Sequence, residues 1–196
     1  FLFHANLVVW LATLFNKRRS RHIVTIRSDR FSGRGSRKKP LRYLLFRMTL
    51  TNADGVVFNS HRASNTLGYL VPNKMRKAII LNAPLISLTT KSSREKQFNK
   101  ISKFIYVGRY DRLKNLANLV KAISHLKERG FNLTLDLYGQ GNEDKKLLKL
   151  ISELNLKKEV KLNSKLKNVQ DVYRNYDALI LCSTHEAFPN VIIEAM

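Results

Sequence analysis

Three clusters of glycine, basic and acidic residues in the second half of the chain have the chemistry to bind a phosphorylated substrate. The first begins at Gly108 and carries Arg109 and Lys114. Glycine lets the backbone approach a ligand closely, and two cations beside the start of a predicted helix suit a diphosphate. A solvated basic loop would show the same pattern, so this cluster alone leaves both interpretations open.

The second cluster is Gly139-Gln140-Gly141, which lies between a predicted strand and a predicted helix. A G-x-G after a strand belongs to the dinucleotide-binding fingerprint, but the third glycine of that fingerprint is missing here. No acidic residue ends the next strand, where a ribose partner is expected. The pattern therefore predicts a tight turn that supports a base or a phosphate, and it is weak evidence for a nicotinamide cofactor.

The third cluster joins two glutamates to a predicted helix start. Glu186 follows an apolar strand, and Pro189 suits the first position of a helix. Glu194 falls on the same helix face as Asn190. Carboxylates accept hydrogen bonds from sugar hydroxyls, and free amides at a helix start bind phosphate oxygens. In the alternative interpretation Glu186 caps the helix and Glu194 is solvated.

An alternation of strands and helices must position these clusters. The second half is predicted to contain strands 104–107, 133–138, 160–162 and 178–181 and helices 116–129, 143–154, 169–176 and 189–196. Such alternation indicates a parallel sheet covered by helices. Ligands of these sheets bind at the carboxyl ends of the strands, and all three clusters follow strands.

The first half repeats the alternation on a smaller scale. It is predicted to contain helices 7–16, 41–50 and 63–70 and strands 22–27, 56–58 and 77–81, the last as a buried strand. The sequence therefore predicts an α/β fold of two Rossmann-like domains facing across a cleft, with bounds 1–88 and 103–196 and a linker at 89–102. Because the chain lacks an initiating Met and stops inside a predicted helix, we expect the central portion of a longer protein, truncated at both ends.

Charge and cysteine content restrict the class of protein. The formal net charge is +22, and residues 1–90 hold sixteen Lys and Arg against two acidic residues, Asp29 and Asp54. This excess attracts nucleic acid, anionic lipid or phosphorylated substrates. The single cysteine, Cys182, excludes a disulfide framework, suits a cytoplasmic protein, and is predicted to be a buried, inert thiol.

The motifs, in this order, resemble those of the retaining glycosyltransferases of family 4, which have the GT-B fold. The resemblance rests on G-R-x4-K (Gly108, Arg109, Lys114), G-x-G (Gly139, Gly141), the Asp177-Ala178 strand start, Ser183 at the strand end, and E-x7-E (Glu186, Glu194). It extends to residues 1–6 and 53–60 of the first half, and so covers essentially the whole chain.

The resemblance implies roles for these residues. Arg109 and Lys114 would bind the donor diphosphate and stabilise the leaving group in place of a metal ion, so neither a metal nor a cofactor is expected. Glu186 would contact the donor sugar, and Glu194 would hold the ribose hydroxyls. The backbone that meets sugar and phosphate would be that of Phe188, Pro189, Asn190 and Val191. The base would lie near Gly139, Gly141 and the segment 162–165.

Two positions depart from the family pattern. Ala187 stands where many members have Gly, and Arg27 stands where many have His at the end of a strand. Arg27 stays protonated and cannot be a general base, so we place it with His4 and Asn6 as candidates for the acceptor or phosphate side. For His4 a structural hydrogen bond is an equally good interpretation.

The resemblance implies transfer of a hexose-type sugar from a nucleotide diphosphate sugar, such as a UDP-sugar, to a glycan or lipid-linked acceptor in cell-surface polysaccharide synthesis. The alternatives are a nucleotide-sugar epimerase of the same fold, a basic nucleic-acid-binding protein, and an inactive truncated remnant. Nucleic acid is disfavoured because no recognition motif or aromatic platform accompanies the basic segment 27–47. The basic first half is either a solvated surface or a patch that docks on the cytoplasmic face of an anionic membrane.

Overall fold

Two parallel sheets organise the chain in a computed structural model. The structure describes residues 3–15, 21–27, 40–83, 101–164, 172–186 and 188–196. They fall into two compact units, Phe1–Ala83 with Glu186–Pro189, and Pro84–His185 with Asn190–Met196. Residues 89–100 of the predicted linker lie outside the described residues, and the predicted domain bounds stay a prediction.

The first unit contains a three-stranded sheet and three α-helices in its described part. In chain order its elements are α1 (Phe3–Phe15), β1 (Ile23–Ile26), α2 (Pro40–Thr51), β2 (Gly55–Phe58), α3 (His61–Leu67) and β3 (Arg76–Ile79). The strands are parallel in the order β1-β2-β3. Val24, Val56 and Phe58 of the sheet are buried, and they form one core with apolar residues of α2 and α3. The Ser60 hydroxyl caps α3 by accepting from the Ala63 amide at 3.1 Å.

The strand predicted at 77–81 is present as β3, but the prediction that it is buried is wrong. All four residues from Arg76 to Ile79 are exposed. Among the described strands β3 has one neighbour, β2, and it therefore lies at an edge of this sheet. The apolar run Ala78–Leu81 predicts a buried strand. Whether a strand is buried depends, however, on which other elements cover it.

The second unit has the larger described part. It contains the first two sequence clusters and, of the third, the residues from Asn190 onward. Its elements are β4 (Lys103–Val107), α4 (Leu116–Glu128), β5 (Thr134–Tyr138), α5 (Asp144–Glu153), β6 (Val160–Asn163), β7 (Ala178–Leu179) and α6 (Asn190–Ala195). The strands are parallel in the order β6-β5-β4-β7. The α/β class and the parallel sheets are as the sequence predicts. Of the helix predicted at 169–176, residues 169–171 lie outside the described residues.

The core of the second unit forms where α4 and α5 cover one face of the sheet. Leu135 and Leu137 alternate inward from β5, as expected for a strand with one covered face. The predicted apolar stripe of α4 packs against them, with Leu119, Val120 and Ile123 buried.

Asp177 fixes the start of β7 beside the start of β4. Its carboxylate accepts from the amides of Ser102 at 3.0 Å and Lys103 at 2.8 Å. The Asp177 amide in turn donates to the Lys103 carbonyl at 2.8 Å. One acidic side chain thus joins two strands that are more than 70 residues apart in sequence.

None of the helices in the described ranges has the length and apolar content needed to cross a bilayer.

Candidate functional site

The first two sequence clusters contact each other at the carboxyl edge of the second sheet. The Gly108 amide donates to the Tyr138 carbonyl at 2.9 Å, and the Tyr110 amide donates to the Gln140 carbonyl at 3.1 Å. These bonds continue the pairing of β4 with β5 beyond the strand ends. The loop after β4 and the glycine turn after β5 therefore form one joined surface.

Close backbone contact explains the two glycines of the turn. A Cβ atom on Gly139 would lie 1.9 Å from the Gly108 carbonyl oxygen, and Gly139 has a φ of +152°. A Cβ atom on Gly141 would lie 2.2 Å from the Tyr110 carbonyl oxygen. Neither position has room for a side chain, so the turn can pack this closely only with glycine.

The amides of the turn are used inside the protein. The Gly139 amide donates to the Asn163 carbonyl at 3.1 Å, and the Gly141 amide donates to the Asp144 carboxylate at 2.7 Å. Together with the Gly108 amide they hold the edge of the sheet in shape. The glycines therefore contribute close packing to the candidate site, and their amides are engaged within the protein.

Tyr110, to which no motif of the sequence points, holds this edge together. Its side chain is buried, and its hydroxyl donates to the Leu137 carbonyl at 2.6 Å and lies 3.3 Å from the Asn163 carbonyl. Burial, followed by the nearby charge of Asp144, raises the pKa of Tyr110 well above its usual value, so the phenol stays a donor. An aromatic residue inside an otherwise polar loop is the sequence signal that points to such a role.

Arg109 extends from this edge with an exposed side chain. Its guanidinium lies 3.6 Å from the Asp111 carboxylate, an exposed pair that contributes little stability by itself. The Arg109 carbonyl accepts from the Tyr106 hydroxyl at 3.0 Å. Asp111 also accepts from the Leu113 amide at 3.0 Å. Asp111 therefore stabilises the turn that follows and lies beside the guanidinium.

Lys114 ends a short 3₁₀ turn, Arg112–Lys114, which is separated from α4 by one residue. Asn115, between the turn and the helix, has a left-handed backbone with φ of 58°. The Lys114 carbonyl accepts from the Cys182 thiol at 3.0 Å. The predicted buried cysteine is half-buried, and burial raises the pKa of its thiol. The segment that follows β7 therefore contacts the turn that carries Lys114.

Glu194 lies on α6, which begins at Asn190, one residue after Pro189. The Tyr173 hydroxyl is buried and lies near the Glu194 carboxylate. Burial, and then the charge of Glu194, raises the pKa of Tyr173. No sequence motif points to Tyr173 as a neighbour of Glu194.

The residues predicted beside Glu194 divide between the two compact units. Asn190, Val191 and Glu194 belong to the second unit, and the segment Glu186–Pro189 belongs to the first. The predicted joint action of Glu186 and Glu194, and the contacts of Phe188, therefore stay predictions. Ala187 lies outside the described residues.

Of the three candidates of the first half, His4 and Asn6 lie in α1, and Arg27 lies just past the end of β1. The Asn6 side chain is buried, and its Nδ2 donates to the Thr25 carbonyl at 3.3 Å, which joins α1 to β1. Arg27 directly follows β1 and is exposed. His4 lies in α1, and its side chain is outside the described residues. Asn6 thus has a structural hydrogen bond, and the predicted acceptor-side roles of all three stay predictions.

A family model for the group 1 glycosyl transferases matches residues 89–196, more than half of the chain. The chain belongs to this family. The glycosyltransferase class predicted from the sequence is therefore confirmed. Clusters of three or more His, Cys, Asp or Glu suited to a metal ion do not occur among the described residues.

One curated relative of this group 1 glycosyltransferase is an N-acetylgalactosaminyltransferase of Campylobacter jejuni that acts on a diphospho-undecaprenol-linked sugar. It is 38% identical over 95 residues, which make up 48% of this chain and 25% of the relative.

Two solved structures share the fold. HepE of Anabaena, in complex with UDP-glucose, has a TM-score of 0.80 at 20% identity. The match covers 99% of this chain and 55% of the HepE chain. Sucrose-phosphate synthase of Thermosynechococcus elongatus has a TM-score of 0.79 at 21% identity. The match covers 98% of this chain and 51% of the synthase chain. The predicted GT-B fold is thereby confirmed. The chain spans about half the length of both structures.

Proposed function

We propose that this group 1 glycosyltransferase moves a hexose-type sugar from a UDP-sugar to a glycan or lipid-linked acceptor, with retention of configuration and without a metal ion, as in family 4. The observation that carries the proposal is the joined surface at the carboxyl edge of β4 and β5. There the turn Gly139–Gly141 packs on the loop that bears Arg109, and Lys114 follows at the start of α4.

The chemistry of this edge suits a diphosphate leaving group. When the bond between sugar C1 and the donor phosphate breaks, negative charge develops on the departing diphosphate. Cations held in place before the reaction stabilise that charge without reorganisation. In the proposal Arg109 and Lys114 supply these cations. The acceptor hydroxyl oxygen forms its bond to C1 on the face that the diphosphate leaves, and its proton passes to the departing phosphate oxygen. Glu186 contacts the sugar and Glu194 the ribose.

The names of similar proteins support the choice of substrates. HepE of Anabaena binds UDP-glucose, and the Campylobacter relative uses a diphospho-undecaprenol-linked acceptor. Both substrates carry a diphosphate, which fits the strongly basic chain. We extend these substrates to the present protein as classes, a UDP-sugar donor and a glycan or lipid-linked acceptor in cell-surface polysaccharide synthesis.

Substitution of the two cations tests the proposal. We expect Lys114→Ala and Arg109→Ala each to lower the rate of sugar transfer by about 10²–10³-fold, the usual effect of removing one transition-state donor. Lys121→Ala, which removes an exposed lysine of α4, is the matched control. Transfer is measured with radiolabelled UDP-sugars on the intact protein in the presence of EDTA, and the anomeric configuration of the product by NMR.

The alternative functions give different outcomes in the same experiment. Wild-type turnover by either variant would contradict the assignment of the two cations, and an inverted product would contradict retention. An epimerised UDP-sugar formed without acceptor would indicate an epimerase. Thermal stabilisation by an oligonucleotide and not by UDP-sugars would indicate a nucleic-acid-binding protein. Complete inactivity of the wild type would favour the inactive remnant.

A further inference from the structure

We propose that Cys182 and Thr184 are positioning residues that set the place of Lys114 through hydrogen bonds to the backbone of its turn. The two residues follow β7 and contact a turn about 70 positions earlier in the chain. We call this pair of residues the clasp. The inference rests on the proposed role of Lys114 toward the donor diphosphate, and it adds residues that the family motifs do not contain.

The clasp holds two consecutive carbonyl groups of the turn. The Cys182 thiol donates to the Lys114 carbonyl at 3.0 Å, and the Asn115 carbonyl lies 3.7 Å from the same sulfur. The Leu113 carbonyl accepts from the Thr184 amide at 2.9 Å and from the Thr184 hydroxyl at 3.2 Å. Two side chains and one amide from a single short segment thus converge on the backbone of Leu113 and Lys114.

The turn is held from its other side by its own bonds. The Leu113 amide donates to the Asp111 carboxylate, and the Lys114 amide donates to the Asp111 carbonyl at 3.0 Å. The amides of the turn are thus held by Asp111 and its carbonyls by the clasp. The backbone at Lys114 is consequently fixed from both directions, immediately before α4 begins.

Fixing this backbone matters because a lysine side chain is long and flexible. The position of its Cα atom determines which ligand atoms the ammonium group can reach. A displacement of about 1 Å, caused by a change outside the reacting groups, can lower a rate by about 10²-fold. The half-buried thiol suits a fixed donor, because burial raises its pKa and keeps the proton on sulfur at neutral pH.

The binding affinities of UDP and uridine separate positioning of Lys114 from a general structural effect, because uridine lacks the diphosphate that Lys114 is proposed to bind. We expect Cys182→Ala and Thr184→Val to weaken UDP binding by about tenfold, as for loss of a well-placed charge contact, and to leave uridine binding unchanged. Cys182→Ser and Thr184→Ser keep a hydroxyl donor and should restore most of the UDP affinity. Thr134→Val, at the opposite end of the sheet, is the isosteric control. Affinities are measured by isothermal titration calorimetry on the intact protein.

A double-mutant cycle completes the test. If the clasp acts through Lys114, Cys182→Ala should cause no further loss of UDP affinity in a Lys114→Ala background. Equal losses in both backgrounds, or equal losses for UDP and uridine, would overturn the inference. Unchanged UDP affinity in both clasp variants would overturn it as well, while the proposed function stands. Failure of the wild type to bind UDP would overturn the proposed function, and the inference with it.

Discussion

At the level of single residues, the glycines at 139 and 141 show how the site depends on backbone packing. The space that a Cβ atom would need is occupied by the carbonyl oxygens of Gly108 and Tyr110. The sequence pattern predicts a tight turn here. It does not show that the turn packs against the loop of Arg109, because that contact joins two strands that are adjacent only in the folded sheet.

Gly139→Ala should destabilise the second unit strongly. Positive φ and the overlap with the Gly108 carbonyl both oppose a side chain, and we expect a loss of about 3 kcal/mol in the free energy of unfolding. Gly130→Ala is the control, because Gly130 has φ of +82° but open space around the added Cβ. It should cost only about 1 kcal/mol. Urea unfolding followed by circular dichroism measures both, and equal losses would contradict the packing explanation.

At the level of elements, a charged pair joins α4 to the start of β6. Lys127, near the end of α4, donates to the Asn155 carbonyl at 3.0 Å and pairs with the Glu159 carboxylate at 2.8 Å. Glu159 directly precedes β6. The hydrogen bond from Lys127 lowers the pKa of Glu159 below its usual value of 4.5, against the opposing effect of burial. The pair therefore links α4 to the turn that starts β6.

The lowered pKa of Glu159 predicts a pH dependence of stability. Because the folded state favours the carboxylate, this contribution is fully present above about pH 4.5 and is lost as the pH falls through the folded pKa. Glu159→Gln should thus be less stable than the wild type near neutral pH, and the difference should shrink on acidification toward pH 3. Glu153→Gln removes an exposed carboxylate of α5 as the control. A difference independent of pH would exclude the ionic explanation.

At the level of the whole molecule, the net charge of +22 places an excess of basic side chains on the protein surface. Exposed basic side chains occur throughout the described part of the first unit: Arg21, Arg27, Arg47, Arg62, Lys74, Arg76 and Lys77. The sequence from residue 40 to residue 83 contains a single acidic residue, Asp54. Its carboxylate accepts a hydrogen bond from the His22 amide at 2.6 Å. On this imbalance rests our proposal that the basic first half docks on an anionic membrane surface.

We expect the intact protein to bind phosphatidylserine vesicles and to ignore phosphatidylcholine vesicles. Each basic residue near an anionic membrane contributes about 1 kcal/mol, and screening by salt should weaken the binding. Co-sedimentation at increasing salt concentration measures both effects. No binding to anionic vesicles at physiological salt would leave the solvated-surface explanation. Tighter binding to an RNA oligonucleotide than to either vesicle would point to nucleic acid instead.

Much of the fold and part of the site could be predicted from local patterns. Helical spacing of apolar residues predicts α4, and glycine after a strand predicts the turns at Gly108 and Gly139. Both signals arise from interactions within a few residues, which the sequence displays directly. The exposure of β3 was beyond such patterns, because an apolar run looks the same whether or not another element covers it.

The sequence by itself determined the α/β alternation, the identity and order of the motifs, and the two cations, Arg109 and Lys114. Tertiary structure alone decided what holds them. Tyr110 reaches a carbonyl 53 residues away, and the clasp reaches Lys114 across 68. These contacts follow from the strand order β6-β5-β4-β7, which places β7 beside β4. Strand order arises from the burial of the whole sheet by its helices, and no local pattern of residues encodes it.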